Sequence, residues 1–66
     1  MEAQKRVWLI RARKAKALSQ EAVANRVGLA RTTYMRYEHG ERTPSPAIAS
    51  NLAQILNVPR EKFFWE

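Results

Sequence analysis

Cysteine is absent from the 66 residues, and histidine occurs only once. The first absence excludes a disulfide framework, a thiolate zinc site and a cysteine nucleophile. The second excludes a multi-histidine metal site. No paired carboxylates and no nucleophile–base set can be assembled, so the chain is expected to be no enzyme, with no cofactor and no metal. Two glycines and three prolines all lie between Gly28 and Pro59, where they punctuate the chain. No apolar run approaches the ~20 residues that span a bilayer. The start, Met1-Glu2-Ala3-Gln4, has no apolar stretch of the signal-peptide kind, so a cytoplasmic location is expected. Acidic residues are scarce too, 6 against 12 Lys and Arg, for a net charge of +6 and a pI near 10.6. That balance implies a polyanionic partner, nucleic acid ahead of an anionic membrane.

What is present reads as one small all-α domain, residues 1–66, built of five short helices. Apolar residues make up 45% of the chain, an ordinary globular share. The cationic excess lies at the front. Residues 1–18 carry six basic groups and one acidic, while residues 44–66 balance at two and two. Helix 1 is expected from about Gln4 to Lys16, in good helix formers. Helix 2 follows the cap Ser19, with Glu21 in its first turn, and ends at Val27 before Gly28. Helix 3 runs from about Arg31 to Glu38 and stops at His39-Gly40. Helix 4 opens on Ser45 and Pro46 and ends at Leu56, with Asn57 suited to a left-handed turn. A short helix 5 follows from Pro59 to about Phe64. The expected core draws on Leu9, Ala12, Leu18, Ala22, Val23, Val27, Tyr34, Tyr37, Ile48, Leu52, Ile55, Leu56, Val58 and Phe63. Lys5, Arg6, Arg11, Lys14 and Lys16 read as a solvated cationic face.

Residues 19–38 carry the functional signal. A short helix, a turn opened by Gly28 and a second short helix have the spacing of a helix-turn-helix, whose second helix enters the DNA major groove. Ala24 suits the close approach of helices 2 and 3. Gly28 suits a positive φ, and Leu29 suits an apolar plug behind it. Tyr34 and Tyr37 suit the buried side of helix 3, and Arg31, Thr32, Thr33 and Arg36 suit the side that reads bases.

Leu18-Ser19-Gln20-Glu21, Ala24, Val27-Gly28-Leu29 and Glu38-His39-Gly40-Glu41-Arg42-Thr43-Pro44-Ser45 together make the chain resemble the phage repressor/Cro-type (xenobiotic-response-element) helix-turn-helix family over about residues 9 to 64. The resemblance implies a compact five-helix bundle of the lambda-repressor-like type. It implies base contacts from Arg31, Thr32, Thr33 and Arg36, and phosphate contacts from Gln20, Arg42 and Ser19 at the helix 2 N-terminus. Met35 points near the same face. Arg13 and Glu38 match a structural ion pair that joins helix 1 to the end of helix 3. Two positions depart from the family pattern. Ala30 stands where Ser or Thr usually caps the recognition helix, a loss of about 1 kcal/mol of capping. His39 stands where Asn is usual, and is read as a turn residue near positive φ.

An apolar surplus remains. Val7-Trp8-Leu9-Ile10 covers nearly the whole circumference of a helix, and Phe63-Phe64-Trp65 again exceeds what one core needs. Either Trp8 and Trp65 pack on each other within one chain, or Trp8, Phe64 and Trp65 form a homodimer interface, with residues 58–66 as the dimerising segment. A dimer would set two recognition helices about 34 Å apart and favour a palindromic operator. The expected function is therefore a sequence-specific double-stranded DNA-binding transcriptional regulator, a dimeric repressor with no small-molecule effector. A restriction–modification controller or an antitoxin-like autoregulator fits the same residues. From other classes, the alternatives are a protein-interaction module that binds no DNA and a membrane-active cationic peptide.

Overall fold

The first four helices end where the backbone turns left-handed. In the computed structural model, which describes residues 4–65, the elements are α1 (Val7–Ala15), α2 (Gln20–Arg26), α3 (Arg31–Glu38), α4 (Pro46–Leu56) and α5 (Lys62–Trp65). After α2, Gly28 takes φ +71°, and the Leu29 N–H returns to the Ala24 carbonyl at 2.8 Å. After α3, Gly40 takes φ +74°, and the Glu41 N–H returns to Arg36 at 3.0 Å. Asn57, at φ 56°, ends α4 in the same way, with Val58 donating to Ala53 at 3.1 Å. Each is a Schellman closure that satisfies carbonyls left open at a helix end. The α2 and α4 starts are capped by Ser19, which accepts from Ala22 N–H at 3.0 Å, and by Ser45, which accepts from Ile48 N–H at 3.3 Å.

The end of α1 uses the same closure with an unfavourable residue. Ala17 stands at φ 56°, donating to Lys14 at 2.9 Å, and Leu18 donates to Arg13 at 3.3 Å. A Cβ in the left-handed region costs roughly 1–2 kcal/mol, and glycine relieves it. Ala17→Gly is therefore expected to raise stability by about 1 kcal/mol in urea unfolding, where Gly substitutions within α1 lower it. A lowered midpoint would contradict the strained turn.

The core joins all five helices through Leu9, Val23, Ala24, Tyr34, Tyr37, Ala49, Leu52, Leu56 and Phe63. Ala24 is fully buried where α2 meets α3, so the small side chain sets how closely the pair packs. Ala12, Leu18, Val27, Leu29, Ile48, Ile55 and Val58 are partly buried around it. Trp8 also packs on this core, edge-on to Phe63 with ring centroids 5.0 Å apart. Tyr34 and Tyr37 meet edge-on at 6.4 Å.

Four details differ from the sequence expectation. The first helix begins at Val7, because residues 4–6 lie beside the end of α3, where Arg6 N–H donates to the Glu38 carbonyl at 2.8 Å. Arg6 is only 4% exposed and is no part of a solvated face. His39 is right-handed at φ −80°, and Gly40 supplies the positive φ one residue later. The last helix begins at Lys62, because residues 59–64 open with tight i→i+3 bonds, Lys62 to Pro59 at 3.1 Å and Phe63 to Arg60 at 3.3 Å. The expected domain and dimerising segment extend past the described residues at 1–3 and at 66.

Candidate nucleic-acid interface

α3 has two sides. Tyr34, Tyr37 and Glu38 are buried, and Arg31, Thr32 and Arg36 are exposed, with Thr33 and Met35 half-buried between them. The side that faces solvent carries two arginines and two threonines and no acidic group, so it offers several donors and two methyl groups. Ala30 at the N-cap makes no side-chain hydrogen bond. The first turn of α3 is therefore held by packing and backbone bonds alone, including Thr33 N–H to the Ala30 carbonyl at 3.1 Å.

Glu38 ties the surrounding elements to this helix. It is 1% exposed, and each carboxylate oxygen accepts two hydrogen bonds. Oε2 accepts from Arg13 Nε at 2.6 Å and from the Tyr34 hydroxyl at 2.7 Å. Oε1 accepts from Gln20 Nε2 at 2.9 Å and from Arg13 Nη2 at 3.4 Å. Arg13 also donates to the Leu18 carbonyl at 2.8 Å. The carboxylate thus gathers α1, the start of α2 and α3 at one point. Burial alone would raise its pKa, but the hydrogen bonds from Arg13, Tyr34 and Gln20 outweigh that and hold it below the ordinary glutamate value. The Arg13 guanidinium is held protonated by its bond to Glu38. Burial, reinforced by the bond to Glu38, pushes the Tyr34 phenol above its ordinary value, so it acts as a fixed donor.

The residues expected at phosphates flank α3. Ser19 and Arg42 are exposed, and Gln20 is half-buried. One Gln20 N–H is committed to Glu38, a bond that sequence reasoning missed, and the amide keeps a second donor. Arg42 sits in the irregular stretch between α3 and α4. Its carbonyl accepts from Arg6 Nη1 at 2.8 Å, and the residue is exposed. Arg6 is the other residue that sequence reasoning misplaced. Nothing in the run of basic residues before Val7 distinguishes it from its neighbours.

The apolar surplus lies elsewhere. Trp8 meets Phe63 edge-on, and Lys62 Nζ lies 5.3 Å from the Trp8 ring centre. Trp65 is 72% exposed and Phe64 50% exposed. Trp8 and Trp65 line one shallow groove with Gln4, Lys5, Val7 and Lys62.

The helix-turn-helix family model matches residues 9–63. Two curated relatives are similar to the chain. The cryptic phage CTXphi transcriptional repressor RstR of Vibrio cholerae is 40% identical over 42 residues, which cover 64% of this chain and 38% of that protein. The uncharacterized HTH-type transcriptional regulator YqaE of Bacillus subtilis (strain 168) is 38% identical over 50 residues, which cover 76% of this chain and 43% of that protein. The chain thus spans less than half the length of either relative.

Proposed function

The chain belongs to the helix-turn-helix family, and from that premise we propose that it is a sequence-specific, double-stranded DNA-binding transcriptional regulator acting as a dimeric repressor at a palindromic operator. The observation that carries this reading is the division of α3. Its inner side is locked by Tyr34, Tyr37 and Glu38, and its outer side offers Arg31, Thr32, Thr33 and Arg36, with no acidic residue of α3 on that side. A rigid helix with that outer side suits the major groove, where an arginine fork matches O6 and N7 of guanine and a threonine methyl matches thymine. Gln20, Ser19 and Arg42 supply phosphate contacts that fix register. The name of RstR supports the repressor and phage setting over a restriction–modification or antitoxin one.

One such helix makes few contacts, and binding by a single copy would be mostly sequence-independent. The exposed Phe64 and Trp65, with Trp65 lining a groove together with Trp8, supply a surface for a second copy. Trp65→Ala is expected to leave the unfolding free energy from urea titration within about 0.5 kcal/mol, because the ring is exposed in one copy. It should weaken operator binding at least about tenfold by undoing the dimer. Sedimentation together with operator titration checks both halves. A variant that remains dimeric and binds normally would remove the tail from the interface. Selection of binding sites from random duplex DNA tests the function as a whole. The expected result is a palindrome with half-sites about one helical turn apart. Selection that yields no preferred sequence overturns it.

A further inference from the structure

The phosphate-contacting loop lacks a ladder of its own. Between the end of α3 and the cap Ser45, residues 41–45 form no helix or strand. Residues 42 and 43 are held instead by a side chain from the far end of the sequence. Arg6 Nη1 donates to the Arg42 carbonyl at 2.8 Å and to the Tyr37 carbonyl at 2.6 Å. Arg6 Nη2 donates to Thr43 Oγ1 at 3.0 Å. Its guanidinium lies 5.7 Å from the Phe63 ring centre. Residues 4–6 also lie against the chain just before this loop, at Glu38 and Gly40. Gly40 faces the Gln4 backbone so closely that a Cβ there would collide with the Gln4 carbonyl oxygen.

We propose that Arg6 is a positioning residue for DNA binding: its buried guanidinium holds the backbone at Arg42 and Thr43 in the place from which the Arg42 side chain reaches a phosphate, so that without the fork that contact is not made. The inference rests on the DNA-binding reading of α3 and the loop. Arg6 is 4% exposed, so its own cation does not touch DNA. What it contributes passes through Arg42. A lysine at the same place would keep the charge but not the fork, which reaches two carbonyls and a hydroxyl at once. Long-range attraction and positioning are therefore separable.

The test compares Arg6→Lys, Arg42→Ala and the double substitution on the selected operator across a salt series. One lost phosphate contact lowers the slope of log K against log salt by about 0.9 per protomer. That corresponds to roughly tenfold weaker binding per protomer at 0.1 M salt, with the difference closing toward 1 M. Arg6→Lys and Arg42→Ala are each expected to show this, and the double variant should be no weaker than either. A purely structural role for Arg6 would instead weaken binding by a factor independent of salt. Thr43→Val, which removes one acceptor of the fork and leaves the helices intact, is expected to show a smaller loss with the same convergence. It decides the matter if Arg6→Lys does not fold. A wild-type slope in Arg6→Lys, or in Thr43→Val where that variant decides, overturns the proposal, and so do losses that multiply in the double variant. Absence of salt-dependent binding by the unaltered chain would instead overturn the DNA-binding reading itself.

Discussion

Glu38→Ala is expected to cost about 3–5 kcal/mol, the usual consequence of removing one partner from a buried ion pair. A domain of this length holds only about 3–10 kcal/mol in total at ordinary stability per residue, so the variant should be largely unfolded. Three elements lose their common anchor together. Arg13 would keep its bond to the Leu18 carbonyl but be left a charge with no counter-ion at 12% exposure. The Tyr34 hydroxyl and the committed Gln20 N–H would lose their acceptor. Glu41→Ala, three residues on at an exposed position, should stay within about 0.5 kcal/mol of the parent. Urea midpoints for the two variants make the comparison, and equal values would refute the anchoring role.

The same network sets the response to acid. The folded pKa of Glu38 lies below its unfolded value, so folding favours the ionised form. Its stabilisation is fully present above the ordinary glutamate pKa of about 4.3 and is lost as pH falls through the folded value. Glu38→Gln, which keeps the shape, should be less stable at neutral pH and show a flatter acid limb. Unchanged steepness below about pH 4 in that variant would assign the acid response to other groups.

The helix-turn-helix was legible because its constraints are local. Ser19, Gly28, Ser45-Pro46 and Asn57 each speak to backbone groups one to five residues away, and the structure places those boundaries at the expected residues or within one of them. The Arg13–Glu38 contact is long-range, and only the family resemblance pointed to it. Tyr34 and Glu38 are i, i+4 on one helix, so their hydrogen bond could have been anticipated from spacing. The Arg6 fork could not. It reaches across 31 to 37 residues, and its acceptors are mainly backbone carbonyls, which leave no mark on the residue types of Tyr37 and Arg42. Ala17 was illegible for a related reason. A left-handed closure usually announces itself by Gly or Asn, and here alanine accepts the strain. The late start of α1 follows from the same Arg6 contacts, since residues 4–6 pair with the end of α3 instead of extending the helix.

Arg31→Ala and Arg36→Ala should each change which sequences are bound, and Arg42→Ala only how tightly. Arg31 opens α3 and Arg36 lies one and a half turns on, so the two reach different parts of a half-site. A bidentate arginine–guanine contact carries about 1–3 kcal/mol of discrimination. A dimer makes each contact twice, so one substitution removes roughly 2–6 kcal/mol of preference across the full site. That is the difference between a regulator that finds its operator among competing duplex and one that does not. In the proposed complex Arg42 meets phosphate, which carries no sequence information. Its loss should therefore weaken operator and random duplex alike and lower the salt slope by about 1 per protomer. Selection with each variant separates these effects: one base position per half-site should relax for Arg31→Ala, a different one for Arg36→Ala, and none for Arg42→Ala. An unchanged consensus for both α3 variants would mean that the outer side of α3 does not read the bases.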